Sequence, residues 1–258
     1  MNIYGLTDKG MVREANEDCI GISCLKNGIT IAVVCDGMGG AAGGKIASEI
    51  AEETFTASMI AVAEEIEKSK FDGRKIKSAI QESIEKANLA IYEKALAEPS
   101  LRGMGCTLNA VVFCESRSRI YYANVGDSRL YMIKKREIRQ LSKDHSYVQM
   151  LIDNKEITEE EAEDHPQRNL ITKALGIKED VEPDIEERRI SLKSETHFLL
   201  CSDGLHGLVS KEKLKKVALS PIGIEEKIFT YIKLANDAGG YDNISAILLS
   251  TKETEVAK

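Results

Sequence analysis

The sequence predicts an α+β fold. Several short apolar runs read as strands, and only two long segments carry helical periodicity. Strands joined by hairpins, with two long helices set among them, fit this pattern better than a regular βαβ array. The runs are Ile29–Cys35, Thr107–Phe113, Ile120–Val125, Leu130–Ile133, Phe198–Cys201 and Ile244–Leu249. They are short and rich in Val, Ile and Leu, as strands of a packed sheet require.

The first helical segment repeats apolar residues at Ile46, Ile50, Phe55, Met59, Val62 and Ile66; the second does so at Ile76, Ile80, Ile84, Ala87, Ile91 and Ala95. Steps of three to five residues place each set on one stripe of a helix. A third helix is expected over Ile224–Ala235, between Pro221 and the Gly239-Gly240 pair. From Ser142 to Asn169 the strand pattern stops. "HSYVQMLIDNKEITEEEAEDHP" reads as two short helices, with Thr158 and Glu161 as a capping box and Ile157 placed for a staple. This acidic insertion suits a solvated helical hairpin or a mobile lid, and composition favours the hairpin. With 258 residues and no low-complexity linker, the chain reads as one domain over 1–258 with the insertion at about 142–169.

Composition narrows the function. Hydrophobic residues make up 43% and charged residues 30%, enough for a packed core. The net charge of -7 argues against a broad nucleic-acid-binding surface. No apolar stretch approaches the roughly 20 residues of a membrane span, and the first residues lack a signal-peptide core, so a cytoplasmic location without membrane insertion is expected. The cysteines, Cys19, Cys24, Cys35, Cys106, Cys114 and Cys201, form no Cys-x-x-Cys pair and read as reduced, buried thiols. The histidines are scattered, without zinc-site spacing.

The chemistry lies in aspartates at strand ends. Asp36-Gly37 follows "IAVVC", Asp203-Gly204 follows "FLLCS", Asp127 sits in a turn of "YYANVGDSRLY", and Asp242 immediately precedes a strand. "REANED" adds Glu17 and Asp18. Any one of these acids suits a turn or cap. At Asp36 that explanation weakens, because a helix follows. Acids gathered at one sheet edge repel one another unless a hard cation joins them, and oxygen-only ligands select magnesium, manganese or calcium over zinc. Two such ions would suit phosphoester hydrolysis. The rival is a P-loop: Gly39–Lys45, "GGAAGGK", fits G-x-x-x-x-G-K, but Ile46 stands where the magnesium-binding hydroxyl belongs.

"REANED", "VVCDGMGG", "GMGCTLNAVVF", "ANVGDSRLY", "LSKDHS", "NLITKALG", "LLCSDGL" and "GGYDNIS" stand in the order of the motifs of metal-dependent PP2C-type (PPM) serine/threonine phosphatases, from about Gly5 to Ser250. The length and "DGMGG" resemble the bacterial branch, whose members oppose Hanks-type kinases. The resemblance implies a central antiparallel β-sandwich flanked by α-helices on both sides. It implies that Asp36 bridges two Mn²⁺ or Mg²⁺ ions, that Gly37 offers a backbone carbonyl, and that Asp203 and Asp242 complete the other metal site. Glu17 and Asp18 would orient metal-bound waters or ligate directly, Arg13 would grip the substrate phosphate, and Asp127 with Asp203 would hold a third, weakly bound ion. The insertion falls at the family's flap. The implied partners are phosphorylated proteins, including a Ser/Thr kinase, acted on by a monomer.

The residues support that chemistry. Two cations screen a phosphoseryl dianion and lower the pKa of a bridging water, so that hydroxide attacks directly. An arginine then pairs with two phosphate oxygens as a fork. No cysteine has arginine six positions on, and Asp-x-Asp does not occur, so neither a phosphocysteine nor an aspartyl-phosphate mechanism is indicated. Met38 stands where many eukaryotic relatives carry histidine; it cannot donate a proton, which leaves that task to a metal-bound water or another residue. His206 reads as a loop histidine or a proton shuttle. Loss of a metal aspartate would mark a catalytically weak phosphoprotein-binding or scaffold relative, and Asp36, Asp203 and Asp242 are all present.

Overall fold

Strand β3 (Ile29–Cys35) sets the architecture, because it has no face in water: all its residues are buried. Ile31, Val33 and Cys35 point into one apolar core, and Ala32 and Val34 into another. A strand covered on both faces must be apolar throughout, which is why the sequence shows a continuous run and no polar alternation. A computed structural model describes residues 1–39, 43–68, 72–192 and 194–251, with the backbone alone at 66–68.

The strands form two five-stranded antiparallel sheets. The first joins β1 (Asn2–Asp8), β12 (Ile244–Ser250), β11 (His197–Cys201), β8 (Arg129–Lys134) and β9 (Glu137–Gln140), in that spatial order. The second joins β10 (Asp184–Arg189), β7 (Arg119–Val125), β6 (Leu108–Cys114), β3 and β2 (Cys19–Cys24). A two-residue pairing of β4 (Gly37–Met38) with β5 (Gly105–Cys106) lies beside them.

The sheets face each other across a core that includes Val34, Phe113, Leu130, Phe198, Leu200 and Ile247. Helices α1 (Gly43–Lys68) and α2 (Gly73–Ala97) cover the second sheet. Beyond the first sheet, α6 (Lys211–Ala218) and α7 (Ile224–Asp237) enclose a further core with Leu205, Leu214, Ile228 and Tyr231. This is the expected sandwich between helical layers, held by three apolar cores.

Some details differ from the sequence reading. The fully buried line of α1 is Ala47, Ala51, Phe55, Met59 and Ala63, with Ile46, Ile50 and Val62 flanking it half-buried; the side chain of Ile66 lies outside the described residues. Small alanines at Ala47, Ala51 and Ala63 let the helix approach the sheet, Phe55 and Met59 fill the core between them, and the branched residues mark the edges of the stripe. The thiols are all free, but Cys24 is exposed and Cys19 only half-buried, at the two ends of the edge strand β2.

Between β9 and β10 lie α3 (Tyr147–Asp153), capped by Ser146, and α4 (Glu159–Glu163), whose Thr158–Glu161 capping box is formed in both directions. Tyr147 N–H donates to the Leu170 carbonyl at 2.8 Å and Ser146 pairs with Ile171, so the segment closes on itself at its base.

Candidate active site

An open cleft of about 540 Å³ is lined by Arg13, Glu17, Asp36, Gly37, Met38, Asp127, Asp203 and Asp242, with Asn169 and Ile171 from the base of the α3–α4 segment. Asp18 lies buried behind this wall, close enough to Asp36, Asp203 and Asp242 for their charges to be felt. The sheet ends therefore bring every sequence-predicted site residue to one region, although they come from opposite ends of the chain.

Asp36 leaves β3 just as the strand ends. Its N–H donates to Thr107 Oγ1 at 3.0 Å, and Thr107 N–H donates back to the Asp36 carbonyl at 2.8 Å. Thr107 Oγ1 also meets Ser128 Oγ at 2.8 Å, which ties the Asp36 turn to the Asp127 turn. Gly37 must be glycine: a Cβ there would stand 2.2 Å from the Gly44 carbonyl oxygen and 2.5 Å from that of Glu17. That close approach is what lets the "REANED" segment and the start of α1 meet at the cleft.

Asn243 fixes that segment from the other side. Its Oδ1 accepts from Glu17 N–H at 2.8 Å, and its Nδ2 donates to the Lys9 and Ala15 carbonyls, each at 2.9 Å. Asp18 Oδ2 accepts from Ser202 Oγ at 2.8 Å and Ser245 Oγ at 2.6 Å. Its Oδ1 is buried with no hydrogen-bond partner. Asp242 Oδ2 pairs with Arg13 Nη2 at 2.8 Å, and its Oδ1 accepts from Asn243 N–H.

The Asp127 turn is braced from below. His145 Nδ1 accepts from Gly126 N–H at 3.1 Å while His145 N–H donates to the Gly126 carbonyl at 2.9 Å. Arg129 holds the neighbouring Asp144 as a fork, through Nε at 2.9 Å and Nη2 at 2.7 Å to one oxygen. His206, the last residue of the short helix α5 (Asp203–His206), is not among the cleft-lining residues. Its Nε2 lies 3.1 Å from the Asp127 carbonyl, which can only accept, so this nitrogen carries the proton. Burial holds the ring neutral, well below the usual histidine range. It supports the Asp127 backbone, and the proton-shuttle reading is set aside.

The acids perturb one another strongly. Burial, reinforced by Asp18, Asp203, Asp127 and Asp242, pushes Asp36 far above the ordinary carboxylate range. Asp203 is also raised, by burial and then by Asp242, with Asp36 and Arg13 opposing the rise. Burial likewise raises Asp127 and Asp18, with Asp203 next for Asp127. Among the described residues no group of His, Cys, Asp and Glu already stands in a metal-holding arrangement. The acids instead ring the open space, with Asp242 leaning on Arg13 and Asp18 on serines.

A sandwich between helical layers, with buried acids converging at the sheet ends, defines the class of protein. The family model for protein phosphatase 2C matches residues 11–226. The chain belongs to the protein phosphatase 2C family and is an enzyme of that class, and this membership displaces the P-loop reading. Residues 40–42 of that glycine-rich pattern lie outside the described residues. The chain is 35% identical over 254 residues to the serine/threonine phosphatase stp of Listeria monocytogenes serotype 4b, covering 96% of this chain and 95% of that protein. It is similar to the crystal structure of the Mycobacterium tuberculosis serine/threonine phosphatase PstP/Ppp, with 32% identity, a TM-score of 0.83, and 96% and 97% of the chains covered. A catalytic domain of PstP in complex with two manganese ions matches with 31% identity, a TM-score of 0.78 and 96% of each chain covered.

Thr107, Asn243, Ser202 and Ser245 were not assigned roles from the sequence. Ser202, Asn243 and Ser245 lie inside motifs that carry an acid, and that adjacency is the signal that could have marked them; Thr107 lies in "GMGCTLNAVVF", which carries none.

Proposed function

We propose that this chain hydrolyses phosphoserine and phosphothreonine in protein substrates, as a single domain in which the segment from about 142 to 169 is the flap over the cleft. The observation that carries the reading is the ring of acids around Asp36, each buried or facing the cleft, with too little positive charge among them. Arg13 is the cation paired to it directly.

The residues fit hard divalent cations. The donors are all oxygen, which suits magnesium or manganese. Asp18 Oδ1 is a buried acceptor with no partner, and the charge of Asp203 bears on Asp36 where a cation would relieve the repulsion. Asp36, Asp203 and Asp242, with the Gly37 carbonyl, would hold two ions; Asp127 with Asp203 would hold a third, weaker one, and Glu17 would contribute at the rim. When bound, such ions supply charge screening and water activated near neutral pH.

The chain's own residues do the rest. Asp36, at the centre of the acids, supplies the charge on which the site is built. Arg13 projects with half its side chain exposed, so its fork can turn from Asp242 to two oxygens of a phosphate. Asp18, fixed by Ser202 and Ser245 behind the cleft wall, would support the metal site from there without touching substrate. Met38 lines the cleft without a proton to give, so protonation of the leaving serine oxygen falls to the Asp127 side of the site.

The natural substrates on this reading are phosphoproteins, including the kinase that the enzyme opposes, and the working form is a monomer in the cytoplasm. Among the described residues no helix is long and apolar enough to cross a membrane. The deciding experiment is hydrolysis of a phosphothreonine peptide with manganese against an EDTA control. Phosphate release that stops in EDTA and returns with manganese or magnesium is expected; full activity in chelator would end the reading.

A further inference from the structure

The cleft has an apolar neighbour that catalysis does not use. Among the exposed large hydrophobic side chains of the described residues, Met11 is 70% exposed, Tyr241 65% and Val12 60%, and only Leu96 matches them elsewhere. These three immediately precede the cleft residues in sequence: Met11 and Val12 lead into Arg13, and Tyr241 into Asp242.

Their two loops are joined. Met11 N–H and Val12 N–H both donate to the Gly240 carbonyl, at 2.8 and 3.3 Å. Gly239 and Gly240 have φ of +123° and +52°. A Cβ on Gly239 would lie 2.5 Å from the Tyr241 ring, and one on Gly240 would lie 2.8 Å from Met11 Cγ. The glycine pair thus lets the Tyr241 ring fold back and Met11 lie beside it. Large apolar side chains are left in water on a backbone that must adopt left-handed conformations to hold them. Scattered exposed hydrophobics are ordinary, but a set carried on two joined loops beside a functional cleft marks a contact surface.

We propose that Met11, Val12 and Tyr241 form a substrate subsite that receives an apolar side chain near the phosphorylated serine or threonine of a polypeptide. The proposal rests on the phosphatase reading above. The occupant follows from position: the platform is continuous with Arg13 and Asp242, and Arg13 points its fork into the cleft. A chain whose phosphate reaches the acids beside Arg13 can lay a neighbouring side chain on this rim. Small phosphate esters would not reach it. The subsite therefore acts on peptide KM and leaves the rate on a small aryl phosphate alone.

The test compares two phosphothreonine peptides that differ only in neighbouring residues, leucine against serine, together with p-nitrophenyl phosphate. The full-length wild type should favour the leucine peptide by about tenfold in kcat/KM, the scale on which one apolar pocket discriminates. The difference should fall in KM. Met11→Ser with Tyr241→Ser should reduce the ratio to about one, with the serine peptide and p-nitrophenyl phosphate unchanged; Tyr241→Phe should keep it. If the double variant melts early, Tyr241→Ser alone should still lower the ratio. Equal rates in the wild type, or a preference that survives both variants, would overturn the subsite. A change in sedimentation with no change in peptide preference would assign the platform to self-association instead and also overturn it. Failure on all three substrates with manganese present would strike down the phosphatase reading first, and the subsite with it.

Discussion

The floor of the cleft and the α3–α4 flap are built in opposite ways. The floor draws on distant parts of the chain and joins them with side-chain bonds: Asn243 to the backbone around Glu17, Thr107 to Asp36 and Ser128, Asp18 to Ser202 and Ser245. The flap is almost self-contained. Its helices are short, its acids beyond the buried Asp144, which anchors it to the floor through Arg129, face water, and it closes through Ser146, Tyr147, Leu170 and Ile171. Crowded acids stay in place only if a cooperative scaffold over-determines them. On the proposed reading of this segment as a flap, letting a phosphoprotein in and out needs few such ties. The molecule separates charge-holding from access.

The sharpest way to break this contrast is at Asp36. Asp36→Asn is expected to lower kcat by about 10³-fold or more, about 4 kcal/mol on the barrier. The melting temperature should hold or rise, because burial already drives this carboxyl toward its neutral form. Parallel measurement of kcat and thermal melting checks it, and a large loss of stability would mean that Asp36 holds the fold as well as the chemistry.

Asp144 tests the floor as structure. Removing it leaves the half-buried Arg129 without its fork partner, so Asp144→Ala should cost about 3–5 kcal/mol in denaturant unfolding. A cost below 1 kcal/mol would show that the Asp127 turn is held without this pair.

Acid tests the same rigid half through His197, buried in β11 against Ser250. Burial, then Lys227, lowers its pKa from 6.5 to about 4. The unfolded chain therefore takes up a proton that the folded one refuses. Stability present above pH 6.5 should fall as pH drops toward 4, by roughly 3 kcal/mol at most. Urea unfolding from pH 7 to 4.5 should show this slope, and His197→Gln should flatten it.

The smallest effect belongs to the flap. Thr158→Ala removes one half of the capping box and should loosen α4 by about 1 kcal/mol. Hydrogen exchange should quicken within 158–163, with global melting unmoved. A drop in global melting would show that the flap is part of the cooperative core.

The sequence made the interior strands plain and the edges obscure. β3, β6, β7, β8, β11 and β12 are buried runs, and apolar continuity marked all of them to within a residue or two. β1, β2, β9 and β10 lie at the sheet edges, where half-exposed mixed residues dilute the pattern; "DIEERR" in β10 is almost wholly charged. The short pair β4–β5 and helix α6 went unseen for lack of length. In the site, the acids could be picked out because a carboxylate after an apolar strand is conspicuous. Their serine, threonine and asparagine supports could not, because those residues suit any turn and their partners lie far away in sequence. The Asp242–Arg13 pair was hidden for the same reason, being 229 residues apart.

Burial of β3 on both faces carries a consequence for assembly of the sheet. In a strand with one wet face, a one-residue slip turns greasy side chains to water and is rejected on that ground. In β3 a slip would exchange one oily layer for another, Ile31 and Val33 for Ala32 and Val34, so solvent cannot proofread its alignment. What can is the end of the run. The first polar side chain after it is Asp36, and any slip that draws Asp36 inward would strand a carboxyl among hydrocarbon. The residue at the centre of the acids thus doubles as a ruler: it tells the growing sheet where the strand must stop.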